Sequence, residues 1–143
     1  MMDIQELKAA LKAGKYDATF RKLYPGRWEP QQARYLRIAE EFGKRFGEER
    51  AVELFSAPGR SEIGGNHTDH QQGRVLAAAV TLDAVAVAAK NDQNVICIYS
   101  EGHGEERISL EKLDIVPQEQ GTTAALIRIY GTGSMGREPK EQL

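Results

Sequence analysis

At 143 residues, with a net charge of −2 and a pI near 6.0, the chain has the size of one domain or part of a larger one. It has no basic surplus pointing to nucleic acid or an anionic membrane surface. Cys97 is the only cysteine, so an internal disulfide is excluded, and there is neither a secretory signal nor an apolar run long enough to span a bilayer; the sequence reads as a soluble cytoplasmic protein.

The first predicted element is a short amphipathic helix over Asp3 to Lys12. Asp3 can cap it, Glu6 can complete a capping box, Ile4, Leu7 and Leu11 share one face, and Gly14 suits the stop. A turn-rich piece follows, YPGRWEP from Tyr24 to Pro30. Pro30 then stands in the first turn of a second helix running to about Gly47. Its apolar stripe is Tyr35, Ile38, Ala39, Phe42 and Phe46, and its wet face carries Arg34, Arg37, Glu40, Glu41, Lys44 and Arg45.

Val52 to Ala57 reads as a strand, and Val80 to Lys90, rich in valine and alanine, as a buried one. The turn signal NDQN at Asn91 to Asn94 leads to a strand at Val95 to Ser100, and the short interval suggests that these last two form an antiparallel hairpin. Gly102 and Gly104 mark another turn before a strand at Arg107 to Leu110, and a helix begins near Gln118 with Ala124, Ala125 and Leu126. Residues 1–128 thus form one structured region, and 129–143 an irregular, flexible tail. Gly131, Gly133 and Gly136 match G-x-G-x-x-G, but no helix and acidic residue follow at the distance a dinucleotide site needs. Helices with mostly antiparallel strands make the fold α+β.

Between two apolar segments lies APGRSEIGGNHTDHQQGRVL, Ala57 to Leu76, dense in polar and turn-forming groups. Pro58-Gly59 suits a turn at the end of a strand, which would expose the residues after it. Gly64-Gly65 permits positive φ or close backbone approach. Asn66, His67, Thr68 and Asp69 together offer both donors and acceptors, which sugar hydroxyls need, and the Arg60 cation would suit a phosphate or a charge developing during transfer. Residue types alone leave a second reading open, in which Thr68 and Asp69 merely cap a turn. His67, Asp69 and His70 are also metal-ligand types, but adjacent candidates on one loop rarely complete a site, and no metal is assigned.

This stretch resembles the signature of galactokinase, A-P-G-R-x-N-L-I-G-E-H-T-D-Y-x-x-G-x-V-L, within the GHMP kinase superfamily. Ala57 to Arg60, Gly65, His67 to Asp69, Gly73, Val75 and Leu76 fall on it without a gap, and FSAPGR, VAVAAKNDQNVICIYS and GTTAALIR extend the likeness to Arg128. The resemblance implies the N-terminal, galactose-binding portion of a GHMP-kinase-type domain with the ribosomal protein S5 domain 2-like fold. It implies phosphoryl transfer from ATP, with Mg, to the C1 hydroxyl of α-D-galactose. Arg60 would then stabilise the transition state, Asn66, His67, Thr68 and Asp69 would grip the sugar, and Ser100 would lie near the nucleotide.

The sequence departs from the pattern at Asn66, where Glu is usual, and at His70, where Tyr is usual; Ser61, Glu62 and Gly64 stand at its x, N and I positions, so Glu62 and Gly64 depart as well. Replacing a carboxylate by an amide at Asn66 is expected to loosen or redirect the choice of sugar. The family's phosphate-cradling G-L-S-S-S-A-like run, its catalytic base and its Mg ligands do not follow Arg128. The expectation is therefore a truncated kinase, inactive alone and prone to self-association through an apolar sheet edge. The alternative is a non-catalytic sugar-binding or regulatory module.

Overall fold

The computed structural model describes residues 2–65, 73–111, 113–114 and 116–135. It is α+β, and its contacts divide into two units, Met1–Lys90 and Asn91–Leu143.

In the first unit, helix α1 spans Ile4–Lys12 and starts with the expected capping box: the Asp3 carboxylate accepts from the Glu6 amide at 2.8 Å, and Glu6 reaches back to the Asp3 amide at 3.2 Å. At its other end the Leu11 carbonyl accepts from the Gly14 amide at 3.1 Å and from the Gln32 side chain at 2.6 Å. Helix α2, Asp17–Leu23, was not read from the sequence. Helix α3, Glu29–Phe46, carries its proline in the first turn and ends at Gly47 (φ 93°).

Strands β1 (Val52–Gly64) and β2 (Leu76–Ala89) pair antiparallel into a two-stranded sheet. On one face of its inner end, Val52 and Leu54 of β1 and Val85, Val87 and Ala89 of β2 pack with the helices around Ile4, Leu7, Leu11, Phe20, Tyr24, Tyr35 and Ala39. Phe20 and Tyr35 meet at 4.9 Å between ring centroids. Burying each such large side chain contributes about 1.5–3 kcal/mol, which is what holds the three helices to the hairpin. The Glu48 carboxylate accepts from Lys8 at 2.7 Å and from Gln5, and its carbonyl from the Ile4 amide, so the α3–β1 connection is tied to the start of α1.

Two corrections to the sequence reading concern this hairpin. Pro58-Gly59 does not turn the chain; β1 runs through both to Gly64. A proline is tolerated because a two-stranded sheet has an open edge on each strand, where its missing N–H costs no ladder bond. The irregularity appears instead as a register shift: Pro58 pairs with Asp83 but Arg60 with Ala79, so β2 bulges through the residues between. Second, Val95–Ser100 (β3) does not pair with β2. It pairs with Gly104–Ser109 (β4), a strand that begins earlier than the glycines suggested.

In the second unit the Asn91 side chain accepts from the Gln93 amide and donates to the Val95 carbonyl, both at 3.0 Å, while Asn94 takes φ 51°. This is the local hydrogen bonding by which Asn makes turns. Ile108 is buried. A 3₁₀ turn at Pro117–Glu119 precedes helix α4, Thr123–Met135, whose Arg128 pairs with Glu119 at 2.7 Å. The helix therefore starts later than the Gln118 expected and continues through 129–135, where an irregular tail was expected. Gly131 and Gly133 lie inside it and Gly136 outside the described residues.

Candidate functional site

The signature loop is the connection between β1 and β2. Its described limbs show how it is closed. Gly65 adopts φ +85°, and a Cβ there would lie 2.2 Å from the Arg74 carbonyl oxygen and 3.0 Å from the Val75 Cα. Both properties anticipated for the glycine pair, positive φ and close approach, fall on Gly65 alone. Only glycine allows the outgoing and returning backbones to come so near. Gly59 is also tight: a Cβ there would lie 3.2 Å from both the Leu82 carbonyl oxygen and Val80 Cγ2.

Arg60 lies on β1 just beyond the register shift. Its side chain is 78% exposed and stands 3.8 Å from the Glu62 carboxylate. A solvent-exposed pair at that distance contributes little energy, so the guanidinium remains able to meet an anion. Asn66, His67, Thr68 and Asp69, and with them His70, lie outside the described residues. Ser100 is the last residue of β3, paired with Gly104 in the second unit, and is exposed. Among the described residues no group of three or more His, Cys, Asp or Glu side chains could hold a metal.

The sequence reading missed the polar cluster at the inner side of the bulge. Asp83, within the valine- and alanine-rich segment read as a buried strand, has a side chain just 3% exposed. Its carboxylate accepts from the Tyr24 hydroxyl at 2.5 Å, from Ser56 Oγ at 2.6 Å and from Arg34 Nη1 at 2.6 Å. Arg34 Nη2 also donates to the Asp83 carbonyl at 2.8 Å, and the Tyr24 and Tyr35 hydroxyls share a bond of 2.8 Å. Arg34 thus leaves the wet face assigned to it. Burial works against ionising Asp83, but the bonds from Ser56, Tyr24 and Arg34 and the guanidinium charge outweigh it and lower its pKa. Burial, then the bonds to Asp83 and Tyr35, pushes the Tyr24 phenol up. The only signal in the sequence was a lone carboxylate in a run otherwise too apolar for one, since a buried acid needs partners.

The geometry defines a hairpin whose two strands close together at a glycine neck, with an arginine displayed beside it. Residues 40–90, from the second half of α3 to the end of the first unit, match the family model described as the galactokinase galactose-binding signature. The chain is 32% identical to a galactokinase of Lactococcus lactis subsp. cremoris over 84 residues, 59% of this chain and 21% of that protein. It is 40% identical to the Streptococcus mutans galactokinase over 79 residues (53% and 20%) and 33% identical to the Bacillus subtilis enzyme over 73 (51% and 19%). It therefore carries the galactose-binding signature of galactokinases and is related to them over about half its length. It spans only about a fifth of those relatives. No solved structure matches the chain.

Proposed function

We propose that this chain is the sugar-gripping portion of a galactokinase-type phosphotransferase with the GHMP-kinase, S5 domain 2-like fold. In that reading Asn66, His67, Thr68 and Asp69 surround the hydroxyls of galactose or a related hexose, and Arg60 faces the anomeric oxygen. The observation that carries it is that the galactose-binding signature, residues 40–90, coincides with the hairpin whose loop closes at Gly65.

The family reaction moves the γ-phosphoryl of ATP, with Mg, onto the C1 hydroxyl. Its demands are positioning and charge stabilisation. Arg60 supplies a cation where negative charge develops, and Asp69, as an acceptor-only group, orients a hydroxyl. Among the described residues no group of three or more His, Cys, Asp or Glu side chains stands ready to hold Mg. Ser100 is proposed as a nucleotide neighbour and the cytoplasm as the compartment. Because the matched stretch is about a fifth of each relative, these 143 residues are expected to bind sugar without transferring phosphate.

Calorimetric titration with galactose, glucose and N-acetylgalactosamine tests this. Galactose should bind, Asp69→Ala should abolish the heat, and galactose with ATP should give no sugar phosphate. Absence of galactose binding would overturn the sugar site, and turnover by the chain alone would overturn its inactivity.

A further inference from the structure

The hairpin is two ladders joined by a bulge. The inner ladder, Val52 to Pro58 with Asp83 to Ala89, packs Val52, Leu54, Val85 and Val87 on the helices. The outer ladder, Arg60 to Gly64 with Leu76 to Ala79, is exposed at every residue and has no place in that core. Its direction is therefore set where it leaves the inner ladder, at the register shift between Pro58 and Arg60. Asp83 is the partner of Pro58 at that point. Its carboxylate holds Ser56 of the neighbouring strand, Tyr24 at the end of α2 and Arg34 of α3 together. Tyr24, Arg34 and Tyr35 lie outside the matched stretch of 40–90, whereas Ser56 and Asp83 lie within it.

We infer that Asp83 is a positioning residue: by joining Ser56, Tyr24 and Arg34 at the bulge, it fixes the outer ladder and so the placement of Arg60 relative to the helices. It touches no ligand. A carboxylate suits the task because it can accept all three donors at once, while an amide would turn an N–H toward Arg34. The inner ladder keeps its apolar packing without Asp83; the outer ladder keeps only its own backbone pairing.

The test compares amide hydrogen exchange, by NMR, in the full chain, Asp83→Asn, Ser56→Ala and the core control Leu11→Ala. Asp83→Asn should speed exchange at the hydrogen-bonded amides of Arg60–Glu62 and Ala77–Ala79 by about tenfold more than at Leu54 and Val87. Ser56→Ala, which removes one exposed donor, keeps the question answerable if Asp83→Asn fails to fold, and should show the same preference by about threefold. Leu11→Ala should show none. Equal acceleration in both ladders, or none, overturns the inference. The link to ligand rests on the galactose reading, so affinity is measured separately. Asp83→Asn should weaken galactose about tenfold while Leu11→Ala leaves it unchanged, and equal affinity of Asp83→Asn and the parent overturns the positioning role. A parent that binds no galactose overturns the function reading, and the exchange contrast still decides the role of Asp83.

Discussion

Replacing Asp83 by alanine is the perturbation whose cost follows most directly from the geometry. Three side-chain donors lose one acceptor. Ser56 is exposed and Arg34 is 32% exposed, so water can replace much of what they lose. Tyr24 is 3% exposed, but its hydroxyl keeps the bond to Tyr35. Hydrogen bonds to a charged group contribute about 1.5–3 kcal/mol each, and rehydration of Ser56 and Arg34 brings the three together down to about 2–3 kcal/mol. For a folding unit of this size that lowers Tm by roughly 10–15 °C. Urea unfolding followed by circular dichroism, with Tyr fluorescence as a second probe, measures it. A loss under about 0.5 kcal/mol, the range of ordinary surface substitutions, would refute the reasoning by showing that the cluster is replaced by water at no net cost.

Other consequences can be checked alongside. The lowered pKa of Asp83 means its stabilisation is fully present above the unfolded value of about 3.9 and is lost as pH falls through the folded one; the Tm gap between parent and Asp83→Asn should therefore close in acid. The raised Tyr24 pKa means its contribution is intact below about pH 10 and is lost as pH rises further, and Tyr24→Phe should flatten that alkaline limb. Gly65→Ala forces a Cβ to within 2.2 Å of a carbonyl at positive φ; a cost of at least about 1–3 kcal/mol in thermal unfolding is expected, and an unchanged Tm would contradict the closed neck. On the face opposite the core, Phe55 is 50% exposed beside Ala57, Ala84 and Ala86. Sedimentation should show concentration-dependent association that Phe55→Lys reduces; a strictly monomeric parent would contradict it.

How far each element was legible in the sequence depends on the range of the interactions that hold it. Helices α1 and α3 were legible because caps, a first-turn proline and apolar periodicity lie within a few residues. Helix α2 was not, since Tyr16 provides no side-chain cap and only Phe20 is buried among its seven residues. The loop between two strands was recognised from its composition, and Gly65 fulfils the role foreseen for it. The extent of β1 was misread because Pro58-Gly59 is a turn signal that an open sheet edge overrides. The β3 partner was misjudged because spacing favours the nearer strand, whereas β4 closes a shorter turn at Ser100–Gly104. The Asp83 cluster was invisible for another reason: its partners Tyr24 and Arg34 are 59 and 49 residues away, and no local pattern connects them.

The claim on which the account depends is that the β1–β2 loop holds a hexose. Backbone-amide NMR of the chain during addition of galactose tests it most directly. Saturable shifts confined to Arg60, the 66–69 stretch and the adjoining ladder are predicted; an unchanged spectrum, or shifts gathered on α1 and α3, would contradict it.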